Sequence, residues 1–311
     1  MPIAIVVHGG AGDIPVERRA AAYAGCQEAA QIGWRILQHG GSALDAVEAA
    51  TRSLEDNPIF NAGTGACLNK DGSIELDAGI MEGHMLQVGA IAGIECIKNP
   101  ITVARKVLES PHVLLISDGA QEFAQEQGIP LCDPEELLTD YQYQQWQRLL
   151  AEEEEAQKLR QEPRFHRREF RTVTRPEEQH GTVGAVALDD MGSLAAATST
   201  GGIHNKYHGR VGDSPLVGCG FYADENAAIS CTGYGEDFIR LLLAKRAADF
   251  VAHGDTARSA AEAAIAVLST RATGDGGLIV VDRLGNVGFA WNSQHMTYAY
   301  MVEGQAEPTG M

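Results

Sequence analysis

Short runs of consecutive apolar residues alternate along the chain with longer stretches in which apolar positions recur every three or four residues. Residues 2–7 form a β-branched run that ends in His8-Gly9-Gly10-Ala11-Gly12. That pattern predicts a buried strand followed by a glycine turn. Residues 16–39 are alanine-rich with helical spacing and stop at Gly40-Gly41, a helix with a glycine end. Ser42 followed by Asp45 resembles a capping box that opens a second helix reaching about Glu55. A loop at 57–65 precedes predicted strands over 73–81 and 86–97. A helix then begins near Pro100, followed by a strand at 112–117 and a helix at 118–127.

Residues 151–180 break this pattern. They contain no glycine and carry eight acidic and seven basic residues, so half the segment is charged with the signs nearly cancelled. Such a stretch predicts a solvated helix that frays into a disordered tether. At Gly181 the character switches abruptly. Residues 182–189 read as a strand, 190–192 as a turn and 193–200 as a returning strand. Strands are predicted at 216–223 and 227–232. Gly233-Tyr234-Gly235 leads into a helix to about Phe250, a second helix covers 256–270, and 277–282, 286–292 and 296–302 close the chain as a strand meander. Strands, helices and strands in this order predict sheets covered on the outside by helices, an α+β or layered α/β domain. No repeat of solenoid length is evident.

The chain has 311 residues, 44% hydrophobic and 21% charged, which excludes disorder of the whole chain and suits one large domain or two smaller ones. Its 24 basic and 42 acidic residues give a net charge of −18. That surface repels phosphate backbones, so neither nucleic acid nor an anionic membrane is expected as a partner. The six cysteines are scattered without a CxxC pair. The start of the chain lacks a signal-peptide pattern and no apolar stretch is long enough to span a membrane, so a reducing, cytoplasmic setting is expected.

Gly181-Thr182 is the first candidate for chemistry. A threonine hydroxyl is a poor nucleophile unless a base lies beside it, and a threonine at a chain terminus supplies its own α-amine. Such an amine has an ordinary pKa of about 7.7–8.0, suited to neutral pH. An internal Thr182 gains it only if the bond after Gly181 is cut, and a tether joined directly to a core strand is where such a cut makes sense. Read alone, the dipeptide is also an ordinary strand start. Thr200 ends the strand returning from Thr182, so its hydroxyl can neighbour the Thr182 hydroxyl. Arg210 and Asp213 lie three residues apart in a glycine loop. They suit a zwitterionic amino-acid head, or form a local ion pair. Cys231-Thr232-Gly233-Tyr234-Gly235-Glu236 ends a strand and opens a helix, where free amides and the Thr232 hydroxyl can hold an oxyanion, or simply turn the chain. His8 reads as structural, Cys231 as an inert buried thiol, and His204 and His208 as loop residues rather than metal ligands.

Four segments in this order, 181–189, 197–202, 209–215 and 231–236, together resemble the plant-type asparaginase/isoaspartyl peptidase family of N-terminal-nucleophile hydrolases. His8-Gly9-Gly10-Ala11-Gly12, residues 54–63, Glu75-Leu76-Asp77-Ala78 and Gly276-Gly277-Leu278-Ile279 agree as well. The resemblance implies a four-layer αββα sandwich formed by a single hydrolase domain, residues 1–311. It implies self-cleavage between Gly181 and Thr182 into an α-subunit of 1–181, with a flexible charged tail over about 142–181, and a β-subunit of 182–311, assembled as an (αβ)2 heterotetramer. By position, Thr182 becomes the nucleophile, Thr200 its hydroxyl neighbour, and Thr232 with the Gly233 amide the oxyanion hole. Arg210 and Asp213 become the clamp on the substrate carboxylate and ammonium, Gly235 lies on the same binding wall, and Asn61 lies near the nucleophile. Backbone carbonyls of Leu54, Glu55, Asn57, Phe60, Ala62 and Thr64 match a loop that holds sodium in relatives; no redox or organic cofactor is needed. The implied reaction is hydrolysis of β-aspartyl dipeptides and L-asparagine to aspartate. The alternatives are a glycosylasparaginase and a non-catalytic β-aspartyl or amino-acid binding relative. Tyr234 between the two glycines leaves the leaving-group preference open.

Overall fold

Apolar side chains occupy both faces of the central strands, so each of these strands feeds two cores. The structure, a computed structural model, describes residues 1–160 and 181–311. The chain runs through β1 (Ala4–Gly12), α1 (Val16–Gln38), α2 (Ala43–Glu55), β2 (Leu76–Glu82), β3 (Gln87–Ile94), α3 (Pro100–Leu108), β4 (Leu114–Ile116), α4 (Ser117–Glu126), α5 (Pro134–Leu137) and α6 (Asp140–Arg160). From Gly181 it continues through β5 (Val183–Leu188), β6 (Leu194–Thr200), β7 (Phe221–Ala223), β8 (Ala227–Gly233), α7 (Gly235–Leu241), α8 (Leu243–Ala252), α9 (Ala257–Arg271), β9 (Gly276–Asp282), β10 (Val287–Trp291), β11 (His295–Val302) and β12 (Thr309–Gly310). The fold is mixed α and β, and no helix among the described residues is long and apolar enough to cross a membrane.

Eight strands form one sheet in the order β12-β11-β1-β5-β6-β2-β3-β4, and four form a second in the order β10-β9-β8-β7. Ile5, Val7, Ala185 and Ala187 turn one face of the large sheet onto Val47 and Leu54 of α2 and Ile101 of α3. Ala4, Val6, Val186 and Leu188 turn the other face onto Phe221, Ile279 and Val281 of the small sheet. The far side of the small sheet carries Ile229, Leu278 and Val280 against Ala247 of α8 and Ala264 and Leu268 of α9. The period-2 alternation of the strands thus assigns each residue to one of two cores.

Several predicted boundaries move. The first strand does not stop at Val7: it continues through the glycines to Gly12, with a bulge between His8 and Ala11. The expected strand at 216–223 shrinks to Phe221–Ala223. The single helix expected to reach Phe250 breaks at Leu242, whose φ is +50°. There the amides of Ala244 and Lys245 bond to the carbonyls of Cys219 and Gly218 instead of to the preceding turn. The closing meander also divides: β9 and β10 pair in the small sheet, whereas β11 crosses to pair with β1. The flexible tail expected from about residue 142 begins instead as helix. In α6, Gln142 donates to the Gly65 carbonyl (2.7 Å) and Trp146 Nε1 to the Asn69 carbonyl (3.0 Å). The rest of that expectation, 161–180, lies outside the described residues.

A polar cluster sits between the two sheets. His8 Nε2 is 2.9 Å from Ser230 Oγ. Ser230 Oγ is 2.8 Å from Thr198 Oγ1 and donates to the Ala197 carbonyl at 3.1 Å. Complete burial pushes the His8 pKa from 6.5 down to about 3, against a smaller opposing effect of the Thr182 backbone. His8 is therefore neutral when folded, while the unfolded chain protonates it below about pH 6.5. The unfolded state binds the extra proton, so stability is present above pH 6.5 and is lost as pH falls toward 3. Urea unfolding should show His8→Gln gaining on the wild type by about 1.4 kcal/mol for each pH unit lost within that window. A difference independent of pH would show that His8 is not held neutral.

Candidate active site

Thr182 stands immediately before β5, a strand flanked by β1 and β6 near the centre of the large sheet. It is 7% exposed, and its hydroxyl donates to Thr200 Oγ1 at 3.0 Å. Thr200 ends β6 and its hydroxyl also accepts from the Gly202 amide at 2.9 Å. The antiparallel pairing of β5 with β6 brings these two hydroxyls together across 18 residues.

Asn61 braces the turn that follows. Its Nδ2 donates to the Gly202 carbonyl (2.7 Å), its Oδ1 accepts from the Cys67 amide (2.8 Å), and its own carbonyl accepts from the Gly201 amide (2.9 Å). The same residue explains the glycine before Thr182. A Cβ at position 181 would lie 2.5 Å from Asn61 Cβ, so only a residue without a side chain fits there.

Thr182, Thr200, Arg210, Asp213, Gly233 and Gly235 border one small pocket. Arg210 is oriented by a residue to which the sequence motifs assign no role. Glu236, in the first turn of α7, accepts from Arg210 Nε (3.0 Å) and Nη2 (2.7 Å). Burial alone would lower the Arg210 pKa, but Glu236, then Asp213 and Asp77, more than offset it and the pKa rises. Burial likewise opposes the Glu236 charge, and Arg210 overcomes it, leaving the Glu236 pKa below its ordinary value. The bidentate fork uses two of the five guanidinium N–H groups, leaving a fixed cation with donors to spare. A Cβ at Gly235 would fall 2.9 Å from Asp213 Oδ1 and 3.1 Å from Arg210 Nη2, so the missing side chain is what lets both charges approach the start of α7.

Glu75, quoted in a motif but given no role, organises the loop carrying Arg210. Its side chain accepts from the Asn69 carboxamide (3.0 Å) and the Gly209 amide (2.8 Å), and its backbone carbonyl from buried Lys206 (2.9 Å). Glu75, Glu95 and His208 bring one ligand atom each within 4.8 Å of one another, but Glu75 is already committed to that loop. His204 instead meets the Gln142 carboxamide (2.6 Å), so the two histidines do not face a common ion.

Thr232, at the end of β8, is fully buried and lies outside the pocket lining. Its hydroxyl accepts from the Ala11 amide at 3.2 Å, which leaves its own hydrogen to donate. Cys231 is buried and its thiol is pushed well up by burial, which makes it inert as a nucleophile.

In the Leu54–Thr64 stretch, backbone carbonyls crowd the inside of a tight turn. Glu55 O and Lys98 O lie 2.6 Å from where a Gly63 Cβ would stand, and Phe60 O and Pro58 O lie 2.7 and 2.8 Å from that of Gly65. Thr64 Oγ1 is buried without a hydrogen-bond partner among the described residues. Crowded carbonyl oxygens and an orphaned hydroxyl within one turn are donors of the kind that suit a hard cation. Three of the expected carbonyls have other work: Leu54 O and Asn57 O accept from Asn57 N and Phe60 N within the turn, and Glu55 O accepts from Thr64 N.

Comparison with known proteins follows this geometry. The family described as Asparaginase matches residues 1–311. A plant-type L-asparaginase of Pyrococcus furiosus is 50% identical over 312 residues, covering 98% of each chain. A plant-type L-asparaginase of Pyrococcus horikoshii is 49% identical over 311 residues, again covering 98% of each. An isoaspartyl peptidase/L-asparaginase of Homo sapiens is 42% identical over 306 residues, covering 98% of this chain and 94% of its own. A buried threonine pair that shares a pocket with Arg210 and Asp213 and a whole-length family match agree: the chain belongs to the asparaginase family.

Proposed function

We propose that this chain is a threonine hydrolase that converts β-aspartyl dipeptides and L-asparagine to aspartate, activated by cleavage between Gly181 and Thr182. The observation that carries this reading is the Thr182–Thr200 hydroxyl pair at 3.0 Å, bordering the same pocket as Arg210 and Asp213. The three cores described above support a four-layer αββα arrangement of the N-terminal-nucleophile type.

Maturation and turnover use one hydroxyl. In maturation, Thr182 Oγ1 attacks the Gly181 carbonyl, the C–N bond breaks, and water hydrolyses the resulting ester, leaving a carboxylate on Gly181 and a free amine on Thr182. In turnover, that amine takes the hydroxyl proton as Thr182 Oγ1 attacks the side-chain carbonyl of the substrate. The Thr232 hydroxyl and the Gly233 amide receive the oxyanion. The proton passes to the leaving nitrogen, and water then hydrolyses the aspartyl ester. Arg210 holds the α-carboxylate and Asp213 the α-ammonium, which fixes the aspartyl unit at its head.

The Leu54–Thr64 loop is a candidate sodium site, supported by the crowded carbonyls and the orphaned Thr64 hydroxyl. A cation bound there would supply charge that holds the turn closed. Two αβ units are expected to associate into the (αβ)2 assembly.

Purified protein should resolve on a denaturing gel into chains of about 19 and 14 kDa, in proportion to the residues on either side of the cut. The smaller should begin Thr-Val-Gly-Ala. Thr182→Ala should abolish both cleavage and hydrolysis, and a single chain persisting in the wild type would overturn the mechanism. In steady-state kinetics, Arg210→Lys should lose at least roughly tenfold in kcat/KM, because the guanidinium fork is gone although the charge remains. Glu236→Gln keeps one acceptor but loses the ion pair that orients the fork. It should cost about threefold to tenfold, mostly in KM, with self-cleavage retained. Wild-type kinetics for either variant would refute the assigned clamp. Replacing Na+ by the bulky N-methylglucamine cation should lower the melting temperature, and Thr64→Val should remove that sensitivity.

A further inference from the structure

Two cavities meet at the Gly181–Thr182 bond. One is the pocket that holds Thr182 and the Arg210–Asp213 clamp. The other is open to solvent and has Gly181 and Asn61 in one wall and Arg18, Ile14, Ile59 and Tyr141 in the others.

Arg18 on α1 is the distinctive group in this second cavity. Its Nη2 donates to the Ile59 carbonyl at 2.7 Å, and its guanidinium carbon lies 3.8 Å from the centre of the Tyr141 ring. Burial lowers its pKa, yet a guanidinium stays charged at neutral pH. The chain carries 42 acidic residues, but among the described residues no carboxylate forms an ion pair with Arg18. The cation is fixed in plane by a carbonyl and a ring, and its one hydrogen bond within the described residues leaves further N–H groups for an anion.

We propose that this cavity receives the leaving residue of a β-aspartyl dipeptide, with that residue's α-carboxylate on Arg18 and an apolar or aromatic side chain against Ile14 and Ile59. The inference rests on the β-aspartyl reading given above. The clamp takes both charges of the aspartyl head, and the acyl carbon must lie at Thr182. The leaving nitrogen and everything beyond it therefore need space that adjoins Thr182 but lies outside the clamp pocket. The cavity walled by Gly181 is that space, and it opens to the nucleophile once Gly181 is no longer bonded to Thr182. Ammonia leaving from asparagine needs none of it. Asp13 also borders the cavity and disfavours an acidic side chain in the leaving residue.

The test compares kcat/KM of the mature enzyme for β-aspartyl-phenylalanine, for the same dipeptide with a C-terminal carboxamide, and for asparagine. The wild type should prefer the free carboxylate over the carboxamide by at least roughly tenfold, as expected for a charge-assisted contact. In Arg18→Gln that preference should fall to within about twofold of unity, chiefly through KM, and Arg18→Lys should retain part of it. The ratio of dipeptide to asparagine turnover should drop with it. A wild-type preference near unity, or one that persists in Arg18→Gln, overturns the assignment of this cavity while leaving the hydrolase reading intact. The wild-type comparison decides alone if the variants fail to fold. Hydrolysis of asparagine without any dipeptide hydrolysis overturns the dipeptide reading itself, and this inference with it.

Discussion

The hydrogen bond from Thr182 to Thr200 is the interaction around which the site is arranged. It requires two neighbouring strands to end in register, so that hydroxyls 18 residues apart in sequence come within 3.0 Å. It also requires the residue before Thr182 to turn away without a side chain, which the close approach of Asn61 enforces. Asn61 then ties the Gly201–Gly202 turn that carries the second hydroxyl's amide partner. Position is set by the sheet, orientation by the turn, and neither tolerates much slack. A hydroxyl misplaced by an ångström loses much of the benefit of being held near its target.

Charge is handled by the same economy of motion. Arg210 is buried enough that burial works against its charge, and Glu236 restores it through two parallel hydrogen bonds. The loop bearing Arg210 is fixed in turn by Glu75, which gathers Asn69, Lys206 and Gly209. The Arg210 guanidinium is thus held in place by carboxylates on other elements, in the way supporting groups orient functional ones.

Much of this was legible in the chain. The strand run after Gly181 and the returning strand to Thr200 are legible in local pattern, because antiparallel hairpins encode their partners nearby. What escaped was non-local. The apolar period of 296–302 marks a strand but carries no record of which sheet receives it, and β11 left the expected meander for β1. The break at Leu242 depends on carbonyls of Gly218 and Cys219 that lie more than twenty residues upstream. Glu236 was visible as a letter in a motif, yet its bond to Arg210 spans 26 residues. The resemblance implied a flexible tail from about 142, whereas Gln142 and Trp146, two side chains among many polar ones, dock the helix there.

The order of strands in the large sheet gives a cut at Gly181 an unexpected topological meaning. β1 belongs to the segment before the cut, yet it is hydrogen-bonded on one side to β11 and on the other to β5, both from the segment after it. β2 likewise pairs with β6 across the divide. Two chains produced there would be threaded through each other's sheet, with three ladders of backbone bonds to break before they part. Their separation would cost nearly the whole fold, so neither piece would persist as a native monomer. Unfolding would then release two molecules in place of one. The melting temperature would acquire a dependence on protein concentration that the uncut chain does not have.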